Sequence, residues 1–243
     1  NQGDMRWELD ETVVRETTQR ILKYDSDHHW LYMVRVGERD DEAGVLQILD
    51  LNSRKVLFRC PVGLTPVGLA FNRERIAVSN FDSNSITVVN KADFSITRLE
   101  TGEKPLDLIY RGDELVVINH QERTLQFPGG DSVKYPLPGP GRPDGLFDSG
   151  KELILTSHSS DRLQIHSFSV QNRTFHLIHE ERYPYGETSF DTNNTAFFVR
   201  GQFGDGLFRI NRILQDTQGC LWISDFLSGK LFIIKPKSVV CPG

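Results

Sequence analysis

Short apolar runs alternate with polar turns along almost the whole chain. In the first copy of this pattern, apolar runs at residues 21–24 and 30–35 flank a polar turn at residues 25–29. The runs are rich in β-branched and aromatic residues and are bounded by Asp, Asn, Gly and Ser, which predicts antiparallel hairpins. Five further hairpins follow, and their first strands begin at Gly68, Asp107, Gly145, Thr188 and Ile213.

Most of these hairpins are followed by a third apolar run, and several by a fourth. Third strands are predicted at residues 45–49, 85–89, 163–166 and 230–234, and fourth strands at residues 97–99 and 174–178. Equivalent positions recur at intervals of roughly 40 residues, the length of a four-stranded propeller blade. The sequence therefore predicts one all-β domain over residues 1–243, a single β-propeller of six four-stranded blades, at residues 18–63, 64–102, 103–139, 140–183, 184–210 and 211–241.

The number of blades and the closure of the ring depend on two segments. The fifth repeat, residues 184–210, is too short for four full strands, so propellers of five or seven blades are alternatives. A ring of blades has to close to protect its β edges. Because the last repeat supplies three clear strands and the segment at residues 5–16 precedes the first repeat, we expect this segment to be the outer strand of the last blade.

Several repeats carry motifs that resemble known propeller families. Residues 65–68 (TPVG), 104–107 (KPLD) and 142–145 (RPDG) precede runs that end at Asn80, Asn119 and Ser157, and this resembles the YVTN-type repeat. Residues 216–225 (DTQGCLWISD) are similar to the repeat of NHL and related propellers. The resemblance covers most of the chain and implies a β-propeller fold. It also implies a ligand site on the face where the loops that lead into each blade open onto the central channel.

The resemblance nominates candidate ligand-binding residues on that channel face. They come from the loops that lead into each blade and from the ends of the second strands, and they are Arg35, Asn80, Lys104, Asn119, His120, Arg142, Asp144, His158, Glu187, Arg200 and Asp225.

Two histidines of this set occupy equivalent places in neighbouring blades. His120 and His158 could therefore point at one ligand, and with Asp225 or Glu187 they could hold a divalent metal, the one cofactor that the sequence suggests. Asp144 and Glu187 are a further candidate acid and base pair. The alternative interpretation is that the histidines form local hydrogen bonds in surface loops.

Four other carboxylates recur at the start of hairpin turns, namely Asp25, Asp148, Asp191 and Asp216. At such positions an Asp side chain accepts hydrogen bonds from backbone N–H groups of its own turn. We therefore expect these residues to be structural and not catalytic.

Composition narrows the classes of partner. The net charge of -5 and the mixture of both signs do not form a basic stripe, so nucleic acid is not expected as a partner, and no apolar run is long enough to predict membrane insertion. Of the three cysteines, Cys220 and Cys241 both lie in the last repeat and are the pairing to test first, while buried thiols are the alternative. Two N-x-T sequons, at Asn172 and Asn193, would accept glycan in a eukaryotic secretory pathway, although such sequons also arise by chance. We expect an extracytoplasmic protein, with a cytoplasmic location as the alternative, and we expect it to be a monomer.

Three functions are compatible with the sequence. The first is a non-catalytic binding or scaffold propeller that recognises a protein, a peptide or a glycan through its channel face, where Phe81, Phe203 and Phe226 would add aromatic contacts. The second is a metal-dependent enzyme similar to propeller lactonases or lyases, although the chain departs from their ligand patterns. The third is a sensor or accessory domain of a larger protein.

Overall fold

The structure is a computed structural model that describes residues 19–129, 132–159, 161–182, 211–217, 219–225 and 230–234. Apart from one short 3-10 turn at Phe81–Ser83, the regular elements in these residues are all β-strands. The strands form four four-stranded antiparallel sheets and one three-stranded antiparallel sheet.

Each sheet is made of consecutive strands in chain order. Sheet 1 comprises β1 (Gln19–Asp25), β2 (Trp30–Arg35), β3 (Val45–Asp50) and β4 (Lys55–Pro61). Sheet 2 comprises β5 (Pro66–Phe71), β6 (Arg75–Asn80), β7 (Ser85–Asn90) and β8 (Ile96–Glu100). Sheet 3 comprises β9 (Pro105–Arg111), β10 (Glu114–Asn119), β11 (Thr124–Phe127) and β12 (Val133–Pro136). Sheet 4 comprises β13 (Arg142–Asp148), β14 (Leu153–His158), β15 (Arg162–Ser169) and β16 (Thr174–Arg182). Sheet 5 comprises β17 (Asn211–Gln215), β18 (Leu221–Asp225) and β19 (Lys230–Ile234).

The first strands of successive sheets lie side by side. β1 contacts β5, β5 contacts β9, β9 contacts β13 and β13 contacts β17. Each sheet therefore presents its first strand to a common inner region and its last strand to the outside, which is a propeller-like arrangement. The hairpins predicted from the alternating pattern are confirmed in these five sheets, for example by the pairing of Tyr24 with Leu31 and of Leu146 with Leu155.

The hydrophobic core lies between neighbouring sheets. Because successive residues of a strand point to opposite faces, each strand contributes to two interfaces. In β6, Ile76 and Val78 pack in the cluster between sheets 1 and 2, whereas Ala77 packs between sheets 2 and 3. Further clusters join sheet 3 to sheet 4 and sheet 4 to sheet 5. The core is thus a series of separate clusters, each shared by two neighbouring sheets.

The recurrent turn carboxylates have the structural role that the sequence predicts. Asp25 Oδ1 accepts a hydrogen bond from the backbone N–H of Asp27 (3.1 Å). Asp148 Oδ1 accepts one from Gly150 (2.8 Å), and Asp216 Oδ1 accepts one from Cys220 (2.9 Å). The fourth residue of this set, Asp191, lies outside the described residues.

Several predictions fall on parts of the chain that the structure does not describe. The short fifth repeat at residues 184–210 and the closing segment at residues 5–16 are both outside the described ranges. Sheet 5 has three strands in the described residues. Cys220 is disulfide-bonded and Cys60 is a buried free thiol, while Cys241 lies outside the described residues.

Candidate functional site

Most of the candidate binding residues lie at one end of the sheets. Arg35, Asn80, Asn119, His158 and Asp225 are the last residues of the second strands β2, β6, β10, β14 and β18. Lys104 immediately precedes β9, and Arg142 is the first residue of β13. We call this the channel end, defined as the end at which second strands finish and first strands begin. Glu187 and Arg200 lie outside the described residues, as do Phe203 and Phe226.

Side chains at the channel end link each sheet to the next. Lys104 Nζ, which belongs to the loop that leads into sheet 3, donates a hydrogen bond to Asp82 Oδ1 in sheet 2 (2.6 Å). Arg142 of sheet 4 donates in the same way to Gln121 Oε1 of sheet 3 (2.5 Å). The Arg123 guanidinium also donates to the carbonyl oxygen of Gly141 (3.1 Å). The same kind of contact thus recurs at two successive interfaces and fixes the loops of this end.

Asn80 and Asn119 lie beneath this surface and not on it, since both are fully buried. Asn80 Oδ1 accepts a hydrogen bond from the backbone N–H of Gly63 (2.8 Å), and Asn80 Nδ2 donates to Thr87 Oγ1 (3.0 Å). Asn119 Nδ2 donates to Gln126 Oε1 (2.8 Å). A buried amide needs such partners. Asn80 thus holds the loop that leads into its own sheet directly, whereas Asn119 does so through Gln126, whose Oε1 also accepts a hydrogen bond from the backbone N–H of Gly102 (2.9 Å).

His120, Asp144 and His158 form a buried group between sheets 3 and 4. The Asp144 carboxylate accepts a hydrogen bond from Thr156 Oγ1 (2.6 Å) and lies against Nδ1 of His158. His120 Nδ1 lies 2.9 Å from the carbonyl oxygen of Pro143. Because a carbonyl only accepts, the His120 ring donates from Nδ1 in this contact.

The protonation of His120 follows from its surroundings. Burial lowers the pKa of His120 below its ordinary value of 6.5, and this effect outweighs the Pro143 carbonyl and the Asp144 charge, which both raise it. At neutral pH the imidazole is therefore uncharged, with its proton on Nδ1.

Register confirms that His120 and His158 occupy equivalent places. Asn119 pairs with Pro105 and Ser157 pairs with Pro143, and each histidine follows directly in its chain. Phe81 holds the same place in sheet 2, after Asn80, which pairs with Pro66. Phe81 is buried, with its ring centroid 6.2 Å from that of His120 and the Lys104 ammonium 5.2 Å above it. This ring therefore supports the channel end from below, where the sequence predicted a surface contact.

The metal hypothesis gains no ligand set from the described part of the chain. Within it, no group of three His, Cys, Asp or Glu side chains is arranged to hold a metal ion. The contacts of His120 with Pro143 and of His158 with Asp144 are the local hydrogen bonding that the sequence left as the alternative. The side chains of the other two candidate ligands, Asp225 and Glu187, lie outside the described set. The proposed acid and base pair of Asp144 and Glu187 therefore lacks one described member.

Sequence reasoning missed the partners that organise this end. Asp82 and Gln121 follow Phe81 and His120 and receive the cations of the next sheet, and Thr156 anchors Asp144. The first two could have been found from their position in the repeat. Asp82 lies two residues after Asn80, and Gln121 lies two residues after Asn119, at the ends of equivalent strands. Their polar partners lie 21 or 22 residues away in the chain, a distance that no local pattern covers.

Comparisons with known proteins relate the chain to others by fold. No known sequence family matches the chain, and no curated protein matches it. No helix among the described residues has the length and apolar character needed to cross a membrane.

Solved structures give clear matches. A protein from Lactobacillus plantarum is 16% identical, with a TM-score of 0.61 over 89% of this chain and 70% of that one. The extracellular domain of a proposed one-component system from B. thetaiotaomicron is 9% identical, with a TM-score of 0.59 over 90% of this chain and 26% of that one. BamB from Moraxella catarrhalis is 11% identical, with a TM-score of 0.52 over 90% of this chain and 65% of that one. At these identities the likeness concerns the fold alone, and with the sheets described above it identifies an all-β protein of propeller-like architecture.

Proposed function

We propose that the protein is a non-catalytic binding module that recognises a protein or peptide through its channel end. The observation that carries the proposal is the repeated linkage of Lys104 to Asp82 and of Arg142 to Gln121 across neighbouring sheets. These bonds hold polar and cationic side chains in fixed positions on a partly exposed surface. A surface that is ordered before binding loses less conformational entropy when a partner docks.

The chemistry of the same end favours recognition over catalysis. The Asp144 carboxylate is bonded to Thr156 and lies against His158, and His120 Nδ1–H donates its hydrogen bond to the carbonyl oxygen of Pro143. All three titratable groups are buried, so they stabilise the interface of sheets 3 and 4. Arginine is enriched in protein interfaces, and Arg123 and Arg142 both lie at this end, which supports a protein or peptide partner in preference to a glycan.

An array experiment tests this function. Labelled protein is applied to a random peptide array and to a glycan array, together with the double variant Lys104→Ala/Arg142→Ala. The control is Lys55→Ala/Arg98→Ala, which removes the same charge from the exposed outer strands β4 and β8. We expect peptide signals that the channel-end variant loses and the control keeps. Signals confined to the glycan array, or peptide signals that survive the channel-end substitutions, contradict the proposal.

The finer architecture is part of the same proposal. We propose a closed ring of six blades related to the YVTN and NHL repeat families, in which residues 5–16 pair with β19. The three-stranded state of sheet 5 within the described residues supports this, since β19 would otherwise be an unpaired outer edge one strand short of its neighbours.

We also propose that the protein works outside the cytoplasm, as a monomer. The disulfide at Cys220 supports an oxidising compartment, and the first sequon places Asn172 in an exposed turn between β15 and β16. The likeness to an extracellular domain agrees with this location. Thiol alkylation of protein from its native cells, followed by mass spectrometry, should leave Cys220 unlabelled without reductant. Labelling of Cys220 would contradict the proposed oxidising compartment.

A further inference from the structure

A cleft of about 540 Å³ opens between sheets 2 and 3, at the end of the sheets opposite the channel end. β6 begins at Arg75, which lines the cleft, and finishes at Asn80 near the channel end. The volume lies within the range of about 300–1,000 Å³ that is typical of small-molecule sites. The cleft is therefore separate from the surface to which the binding function was assigned.

The floor of the cleft is aliphatic, whereas the neighbouring interfaces carry stacked aromatic rings; Tyr110 and Phe127 also line the cleft. Between sheets 1 and 2, Phe58 of β4 stacks on Phe94 with ring centroids 4.7 Å apart. Between sheets 3 and 4, Phe168 packs against Tyr135 and Phe175, at 5.1 and 4.8 Å. The cluster between sheets 2 and 3 contains aliphatic residues, with Tyr110 as its aromatic member among the described residues.

One difference between the repeats contributes to this space. Phe58 pairs with Ile48, the fourth residue of β3, and Thr97 pairs with Val88, the fourth residue of β7. Thr97 thus holds in sheet 2 the place that Phe58 holds in sheet 1, and Thr97 lines the cleft. A threonine here leaves unfilled the volume that a phenyl ring occupies one sheet earlier.

The lining has an apolar floor and a charged mouth. Val88, Leu99 and Leu115 belong to the floor, and Arg75, Asp113 and Glu114 are exposed at the mouth. One guanidinium and two carboxylates give the mouth a net negative charge. Burial raises the pKa of the Tyr110 phenol to about 12, so its hydroxyl stays protonated and can donate a hydrogen bond to a ligand.

We propose that this cleft is a binding site for a small organic amine that carries an aromatic or branched apolar group. The apolar group takes the place of the missing ring against Val88 and Leu115, and the ammonium lies at the mouth near Glu114. Glu114 is the better partner because Asp113 already accepts a hydrogen bond from Asn72 Nδ2 (3.2 Å).

Three fragments of one shape and different charge test the site, namely benzylamine, benzyl alcohol and benzoate, titrated into ¹⁵N-labelled protein at pH 7. We expect saturable shifts around the cleft, with affinity in the order benzylamine, benzyl alcohol, benzoate. Glu114→Gln should weaken benzylamine about two- to fivefold, the range of an exposed ion pair, and leave benzyl alcohol unchanged. Glu152→Gln is the matched control. Glu152 directly precedes the apolar residues of β14, as Glu114 precedes those of β10, and it does not line the cleft. This variant should leave the affinity for both fragments unchanged.

Filling the cleft is the second arm. Thr97→Phe restores the ring found at Phe58 and should abolish binding of both fragments while the melting temperature holds or rises. Val133→Phe places the same ring at the equivalent position of β12, outside the cleft, and should leave binding intact. Binding that survives Thr97→Phe, benzoate that binds as well as benzylamine, or no saturation by any fragment below about 10 mM overturns the proposal. None of these outcomes alters the expected array result at the channel end.

Discussion

At the scale of single residues, a buried ion pair joins sheets 1 and 2. Lys91 Nζ donates hydrogen bonds to Asp25 Oδ2 and to the carbonyl oxygen of Asn72, both at 2.6 Å. The Tyr32 hydroxyl donates to the same carboxylate oxygen at 2.5 Å. Both charged side chains are almost fully buried, so each depends on the other for compensation of its lost hydration.

Removal of the cation alone should therefore be costly. We expect Lys91→Met to lower the free energy of unfolding by about 3–5 kcal/mol, because it leaves the Asp25 carboxylate buried without its partner. Urea denaturation measures the change. Lys104→Met is the control, because its pair with Asp82 is more than one-third exposed and should contribute about 0–1 kcal/mol. Equal losses in the two variants would contradict the distinction.

The lowered pKa of the Asp25 carboxylate should make the stability of the protein depend on pH. Burial raises the pKa of Asp25, but hydrogen bonds from Lys91 and Tyr32 outweigh it and lower the pKa from 3.8 to about 2. Because the unfolded chain takes up the proton first, this contribution is complete above about pH 4 and is lost as the pH falls to about 2, a change on the order of 2 kcal/mol. The urea midpoint of wild type should fall more steeply over this range than that of Asp25→Asn. Parallel curves would show that Asp25 does not titrate in this way.

At the scale of elements, glycines let the loops between sheets approach the second strands. Gly63 is buried, and a Cβ on it would lie 2.6 Å from Cβ of Asn80 and 2.8 Å from Ser83 Oγ. In the next loop but one, a Cβ on Gly141 would lie 2.9 Å from Ser157 Oγ, 3.1 Å from Ser157 Cβ and 3.2 Å from the backbone carbon of His158. Cβ of Asn80 is attached to the backbone and cannot turn aside. The Ser157 hydroxyl can rotate away, and the contacts that remain at Gly141 are 3.1 Å or longer.

These distances predict unequal effects of the same substitution. Gly63→Ala should reduce the free energy of unfolding by about 1–3 kcal/mol, the usual effect of overpacking, because Asn80 cannot move without losing its hydrogen bonds. Gly141→Ala should cost clearly less. Thermal unfolding of the two variants side by side is the measurement, and a larger loss for Gly141→Ala would refute the explanation.

Local sequence patterns could predict the strands but not their contacts. The alternation of apolar residues and the Asp and Asn turns marked the hairpins of sheets 1 to 5, since both signals act within a few residues. The burial of Asn80 could not be foreseen, because it depends on Gly63, 17 positions earlier. The cleft was not foreseen either, because the exchange of Phe58 for Thr97 is visible only once the strand registers of two sheets are compared.

At the scale of the whole molecule, the proposed closure makes the first residues part of the last sheet. A chain that begins at Thr17 should then melt about 10 °C lower than the full chain, which corresponds to roughly 3 kcal/mol for a protein of this size. Differential scanning calorimetry provides the comparison. Deletion of residues 1–4 alone is the control and should have no effect, because it leaves the proposed strand at residues 5–16 intact. A shortened chain with unchanged stability would exclude closure by this segment.

The serial order of the sheets also has a consequence for synthesis on the ribosome. Every described strand pairs with a neighbour in sequence, and each sheet packs against the one made just before it. Contacts of this kind form quickly, so sheets 1 to 4 can assemble one after another while the chain is still being translated. In a closed ring, however, the outer flank of sheet 1 has no cover until the final repeat has left the ribosome. If the ring closes as proposed, the nascent chain therefore exposes an apolar sheet face for most of its synthesis, and aggregation is most to be expected in that interval.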